Sequence, residues 1–186
     1  MGDSSDLDLI ARAQGGDVDA IGGLYDQHHA SIFRYLWLRL DDRQVAEDLT
    51  GDVFMRMLTA LPNYQSIGLP FRAWLYRIAH NLLVDRFRKT NNRVLVPLEG
   101  IEEQSDENDP ASTVEQKLLV ARMNHALSKL DEHQREVVVL RFIIGLPLRE
   151  TALAVGKTEA AVKSLQHRGL AAMRLALSQE QEQVIR

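Results

Sequence analysis

Cysteine is absent from all 186 residues. That excludes disulfides, a thiolate nucleophile and any zinc site built on sulfur, and it suits a reducing compartment. No apolar run approaches the roughly 20 residues of a membrane-spanning helix. The opening MGDSSDLD is acidic and has neither the basic nor the apolar part of a signal peptide. With 45% hydrophobic and 26% charged residues, the expectation is ordinary globular material, cytoplasmic, in one medium or two small domains. Net positive charge is missing too: the formal charge is -4. Such a chain binds DNA weakly by itself, because affinity scales with the phosphates neutralised, and a larger partner has to share the contact.

What charge there is lies in blocks. From Phe71 to Arg93 the cations are Arg72, Arg77, Arg86, Arg88, Lys89 and Arg93, against Asp85 alone. From Pro97 to Gln116 the charges are Glu99, Glu102, Glu103, Asp106, Glu107, Asp109 and Glu115. A second basic segment follows within LPLRETALAVGKTEAAVKSLQHRGLAAMRL, residues 146–175. There Leu148, Ala152 and Val155 recur at helical spacing before Gly156, and Ala161, Val162, Leu165, Leu170 and Met173 after it. Gly156 suits the left-handed residue that ends a helix, and Thr158 can cap the next one. This is the outline of a helix-turn-helix. The second helix turns Lys157, Glu159, Ala160, Lys163, Ser164, His167 and Arg168 outward. Lys157, Lys163, Arg168 and Arg174 can meet phosphates, and Lys163, Ser164 and His167 can reach base edges in a major groove. A plain helical hairpin with a solvated basic face stays open.

The rest of the chain is also helical in pattern. Leu7–Gln14 forms a short amphipathic helix ended by Gly15 and Gly16, and Asp19–Leu40 carries an apolar stripe from Ile21 to Leu40. Its neighbours His28 and His29 point about 100° apart on a helix, which argues against a shared metal and for a surface or boundary role. Arg43–Ala60 is expected to bury Val45, Leu49, Val53, Phe54, Met57 and Leu58, and to expose Glu47, Asp48, Asp52 and Arg56. The three carboxylates suit a protein-docking face, a solvated face or Mg²⁺ and acid–base chemistry; no base, nucleophile or glycine loop completes a catalytic set. Thr50-Gly51 is expected to interrupt this helix. The loop LPNYQSIGLP then leads into FRAWLYRIAHNLLVDRFRK, with Phe71, Trp74, Leu75, Ile78, Leu82 and Leu83 as core and Arg72, Tyr76, Arg77, His80 and Asn81 around the rest. Basic residues interleaved with aromatics suit an unstacked single strand; a core helix with a basic exterior is the alternative. Val94–Gln116 lacks a helical period and reads as an acidic linker. A helix from Ser112 or Thr113, an apolar helix Val137–Ile144 and the two helices around Gly156 make a four-helix C-terminal unit, trailed by the polar SQEQEQVIR.

The succession GDVDAIGGLYDQH, AEDLTGDVFMRM, FRAWLYRIAHNLLVDRFRK, ALSKLDEHQREVVVLRF and GLPLRETALAVGKTEAAVKSL, in this order across an acidic linker, resembles the sigma-70 family of bacterial RNA polymerase sigma factors, in its extracytoplasmic-function group. The resemblance implies an all-α fold of two small helical domains: region 2 (1–93), linker (94–116) and region 4 (117–178), with a polar tail (179–186). It implies no catalysis and no cofactor. Glu47, Asp48, Asp52 and Arg56 would dock on the β′ clamp helices of core RNA polymerase, while the apolar part of region 4 rests on the β flap. Tyr64, Arg72, Tyr76, Arg77, His80, Asn81 and Arg86 would hold the non-template strand of the promoter -10 element. Lys157, Thr158, Glu159, Ala160, Lys163, Ser164, His167 and Arg168 would read the -35 element. An anti-sigma factor is the implied inhibitory partner, and membrane insertion is not expected. The linker would thread the polymerase channels as a nucleic-acid mimic or serve as a tether. His80 departs from the family, which often has a basic residue there. The rival is an autonomous helix-turn-helix regulator that binds duplex DNA without polymerase.

Overall fold

Caps and turns set most of the helix boundaries. The computed structural model describes residues 3–40, 42–90 and 114–184, and every regular element among them is helical. The first domain comprises α1 (Asp3–Gln14), α2 (Val18–Leu40), α3 (Arg43–Ala60), a 3₁₀ turn (Leu61–Asn63) and α4 (Phe71–Thr90). Asp42 starts α3 by accepting the Val45 N–H at 3.1 Å, so one otherwise unpaired donor of the first turn is satisfied. Between α1 and α2, Gly16 adopts φ +88°, which costs a residue without Cβ nothing. The buried residues Leu24, Ile32, Leu36, Val53, Met57, Leu75 and Leu83 then join α2, α3 and α4 in one core.

Four readings of this half change. α3 is continuous through Gly51, because a solvent-exposed glycine lowers helix propensity without removing a hydrogen bond. Apart from its chain neighbours and the backbone of its own helix, nothing lies within 4 Å of the position a Gly51 Cβ would take. Gly51→Ala is therefore expected to stabilise the protein by about 0.5–1 kcal/mol, read from chemical denaturation. The buried stripe of α3 is also rotated from the expected one: Ala46 and Thr50 are inside, Val45 is half-buried and Leu58 is exposed. Thr50 tolerates burial because its hydroxyl donates to the Ala46 carbonyl at 2.7 Å. Tyr76 lies in the interior rather than on the outer face of α4.

His28 is buried, not at the surface, with Nε2 3.2 Å from Asp6 Oδ1. Burial pushes its pKa below the ordinary 6.5, and the Asp6 carboxylate only partly opposes that. The fold thus favours the neutral ring. Its contribution is complete above about pH 6.5 and declines as the pH falls, since the unfolded chain then binds the extra proton. The melting temperature is expected to drop as the pH falls below about 6.5, and His28→Gln should remove part of that slope.

The second domain holds α5 (Val114–Ser128), α6 (Glu132–Val138), which runs on as a π-helical turn over Val139–Ile143, α7 (Leu148–Val155) and α8 (Glu159–Val184). The apolar run is thus longer than expected: Asp131 caps it six residues upstream of Val137 by accepting the Gln134 N–H at 2.8 Å. Arg135 donates to the carbonyls of Leu127 and Ser128 at 3.0 and 3.1 Å and fixes the end of α5 on α6. The tail differs as well. α8 continues to Val184, because Ser178 and the Gln/Glu run after it contain no helix breaker. Helix begins at Val114, inside the expected linker; the acidic stretch 94–113 lies outside the described residues. The two domains touch, with α4 packed along α7 and α2 near the π turn.

Candidate nucleic-acid interface

The turn between α7 and α8 has the geometry its residues require. Gly156 takes φ +65° and ψ +33°, and the Lys157 N–H reaches back to the Ala152 carbonyl at 3.0 Å. Thr158 Oγ1 accepts the Ala161 N–H at 3.2 Å and starts α8. Ala152, Val155, Val162 and Leu165 are buried and hold the two helices together. That fixes the rotation of α8. Thr158, Glu159, Ala160, Lys163, Ser164, His167 and Arg168 are all exposed, and Lys157 is half-buried. Arg174 extends the same helix as a further exposed cation. Gly169 faces inward instead; a Cβ there would come within 2.9 Å of Val138 Cγ2, so the glycine lets α6 approach α8.

In the first domain the seven proposed strand-binding residues do not share one environment. Arg77 and Asn81 are exposed on α4. Tyr64 is buried: its hydroxyl donates to the Leu69 carbonyl at 2.8 Å and its ring lies 4.6 Å from that of Trp74. It shapes the loop from within. Gln14 assists, donating to the Leu61 and Tyr64 carbonyls at 2.9 and 2.8 Å. Tyr76 is buried near Ser31 and Arg72, and burial raises its pKa above the ordinary phenol value. Arg72, His80 and Arg86 are half-buried. Arg72 donates to the Ile144 carbonyl of the second domain, and His80 Nδ1 lies 2.5 Å from Glu136 Oε1.

The acidic face of α3 is open. Glu47, Asp48, Asp52 and Arg56 are all exposed. Glu47 accepts from Arg43 at 2.9 Å, whereas Asp48 and Asp52 make no ion pair among the described residues. Beside them lie three exposed apolar side chains that sequence reasoning assigned no docking role: Tyr25, Met55 and Leu58. Met55 falls three residues after Asp52, on the same helical face, so spacing from the carboxylates would have found it. Tyr25 packs against Phe54 at 4.7 Å between ring centres. An apolar centre with a charged rim is the composition of a protein interface.

Two helical domains, one with a helix-turn-helix whose second helix exposes basic side chains and the other with an open acidic face on α3, match known proteins over both halves. A sigma-70 region 2 model matches residues 24–93 and a sigma-70 region 4 model matches residues 126–175. The chain belongs to the sigma-70 family of RNA polymerase sigma factors. Its relatives place it in the extracytoplasmic-function group. It is 38% identical to the ECF sigma factor BldN of Streptomyces coelicolor over 88% of this chain and 62% of that protein. It is 34% identical to the ECF sigma factor SigD of Mycobacterium tuberculosis over 87% of this chain and 79% of that one. ECF sigma factor SigX of Bacillus subtilis is 32% identical over 81% of this chain and 80% of that one. The chain thus spans somewhat under two thirds of BldN and about four fifths of SigD and SigX. Among solved structures, CnrH in complex with the cytosolic domain of CnrY superposes with a TM-score of 0.71 at 28% identity, covering 94% of this chain and 97% of that one. The sigma factor RpoE of Bartonella quintana, solved with the anti-sigma factor NepR, shares the fold at a TM-score of 0.66. Region 2 corresponds to most of α2 with α3 and α4, and region 4 to the end of α5 through most of α8. The chain is accordingly a sigma factor in function, a promoter-specificity subunit, and the autonomous regulator is not favoured.

Proposed function

We propose that the chain binds core RNA polymerase through the α3 face of Asp48 and Asp52, reads the -35 element with α8 and holds the -10 strand with α4. The observation that carries this reading is the rotation of α8: its apolar side is buried while Lys163, Ser164, His167 and Arg168 all face outward. A helix so turned fits a major groove, with cations toward phosphates and polar tips toward base edges. On α4 the exposed pair Arg77 and Asn81 offers a phosphate contact and an amide that both donates and accepts. Glu47 and Arg56 extend the docking face, and the apolar part of region 4 rests on the polymerase β flap. The linker ahead of α5, over residues 94–113, passes through the polymerase, and an anti-sigma factor holds the protein inactive.

The protein does no chemistry of its own: strand opening is driven by binding, where captured bases offset an unstacking cost of about a few kcal/mol. No described helix is long and apolar enough to cross a membrane. A cytoplasmic location accords with that and with the lack of cysteine. The test is a pull-down of the purified chain with core RNA polymerase, followed by run-off transcription from a promoter library. Stable binding with promoter-selective transcripts is expected, and the transcripts define both promoter elements. No binding to core, with tight duplex binding by the chain alone, would favour an autonomous regulator.

A further inference from the structure

We propose that the two domains form a closed state in which region 4 occupies part of the -10 set of region 2, at His80 and Arg72, latched by Glu136, while the -35 helix stays open. The inference rests on the assignment of α4 to the -10 strand and adds a regulatory contact to it. Glu136 opens the apolar run EVVVLRF, yet its carboxylate is turned toward region 2 and is 3% exposed. The Tyr35 hydroxyl of α2 donates to Oε1 at 2.9 Å. His80 Nδ1 of α4 meets the same oxygen at 2.5 Å. Arg39, also of α2, adds positive charge and donates to the Glu132 carbonyl at 2.8 Å, with the Glu132 carboxylate at 3.5 Å. Arg72 closes the other end of the contact on the Ile144 carbonyl. Four polar side chains of region 2 thus end on region 4.

The chemistry of this contact is that of a latch rather than a core. Burial alone would raise the Glu136 pKa, but His80, Arg39 and Tyr35 together outweigh it and hold the group below the ordinary carboxylate range. Glu136 is therefore ionised and accepts only, which places the shared proton on His80 Nδ1. A buried carboxylate paired in this way contributes little net stability over a hydrated one, yet leaving it unpaired is costly. The contact is accordingly specific but releasable, because on opening water can take over every one of these bonds. Tyr35, Arg39 and His80 are the titratable or charged groups that face Glu136 from α2 and α4. His80 and Arg72 belong to the set assigned to promoter DNA. Glu136 thus occupies part of that set with an anionic group, as a phosphate would. Lys163, Ser164, His167 and Arg168 remain exposed in the same state. Duplex reading is open, while His80 and Arg72 are held off the strand and only Arg77 and Asn81 of α4 stay exposed to it.

Because the chain has no cysteine, two introduced thiols give clean labels: Asp26→Cys on α2 and Ser178→Cys on α8, both at exposed positions. Spin-label distances in the full chain should show one narrow population. Glu136→Gln should shift a large fraction to longer, broader distances, with unchanged helicity by circular dichroism. Tyr35→Phe, which removes only one oxygen, should do so to a smaller degree. The Glu136→Gln chain should also bind the single-stranded -10 oligonucleotide defined by the transcription selection about tenfold more tightly, at unchanged affinity for -35 duplex. A wild-type distribution that is already broad, one that neither variant changes, or opening without a gain in strand affinity would overturn the latch. Failure of the holoenzyme itself to capture that strand would instead overturn the -10 assignment beneath it.

Discussion

Replacing Asp48 and Asp52 together by Lys is expected to weaken binding to core RNA polymerase by about two orders of magnitude or more. Both carboxylates are exposed on one face of α3, four residues apart, and neither makes an ion pair among the described residues. Charge pairs formed across an interface are worth roughly 1.5–7 kcal/mol each when close. Two at the low end come to about 3 kcal/mol, about a hundredfold in Kd, and reversal adds repulsion to the lost attraction. The fold should not suffer, since no hydrogen bond that holds α3 in place uses these side chains. Competition binding against the wild-type chain, repeated across salt concentrations, measures the effect, and the wild-type advantage should shrink as salt rises. Met55→Ala should weaken binding without altering the salt dependence, because it removes apolar contact and no charge. If the double reversal stays bound at wild-type affinity, the docking face lies elsewhere.

What the sequence made legible here was local. Gly156 and Thr158 act on groups four and three residues away, so the helix-turn-helix could be drawn without any tertiary knowledge. The bounds expected for α3, Arg43–Ala60, also hold. The exposure of Lys163 and Arg168 followed from period alone. The misses at His28 and Tyr76, and the pairing of Glu136, depend on residues far apart in the chain. His28 is buried because Asp6, 22 residues earlier, supplies its partner. Glu136 is paired with Tyr35, 101 residues away, and with His80, 56 away. Periodicity gives a helix one apolar face, but α4 packs against α2 and α3 on one side and α7 on another. Tyr76 therefore went inside although its position reads as peripheral. Two signals were available: a glutamate at the head of EVVVLRF and an arginine, Arg39, at the end of an apolar helix. A charge within an apolar run is worth a search for its partner.

Lys163→Ala and Arg168→Ala should each weaken binding to -35 duplex, whereas Asn81→Ala should leave that binding intact and impair promoter opening. The difference follows from the chemistry of the two sites. A lysine or arginine at a phosphate releases counterions, so its loss lowers the slope of log affinity against log salt by about one. Where Arg168 reaches a base edge instead, discrimination at that base pair should fall by about 1–3 kcal/mol. Asn81 carries no charge and predicts no change in slope. Its amide pairs only with a base that has left the stack, so its loss acts after duplex binding. A contact of about 1–3 kcal/mol there means about 5- to 150-fold fewer open complexes at equal duplex affinity. Permanganate footprinting of open complexes, set beside duplex binding over a salt series, separates the two classes. Premelted promoter DNA discriminates further: it should not rescue Asn81→Ala, since the lost bond is to the strand itself, and it should leave the Lys163→Ala deficit in duplex affinity unchanged. Equal defects of all three variants in both assays would show that α4 and α8 act as one surface, and the separation of strand capture from duplex reading would fail.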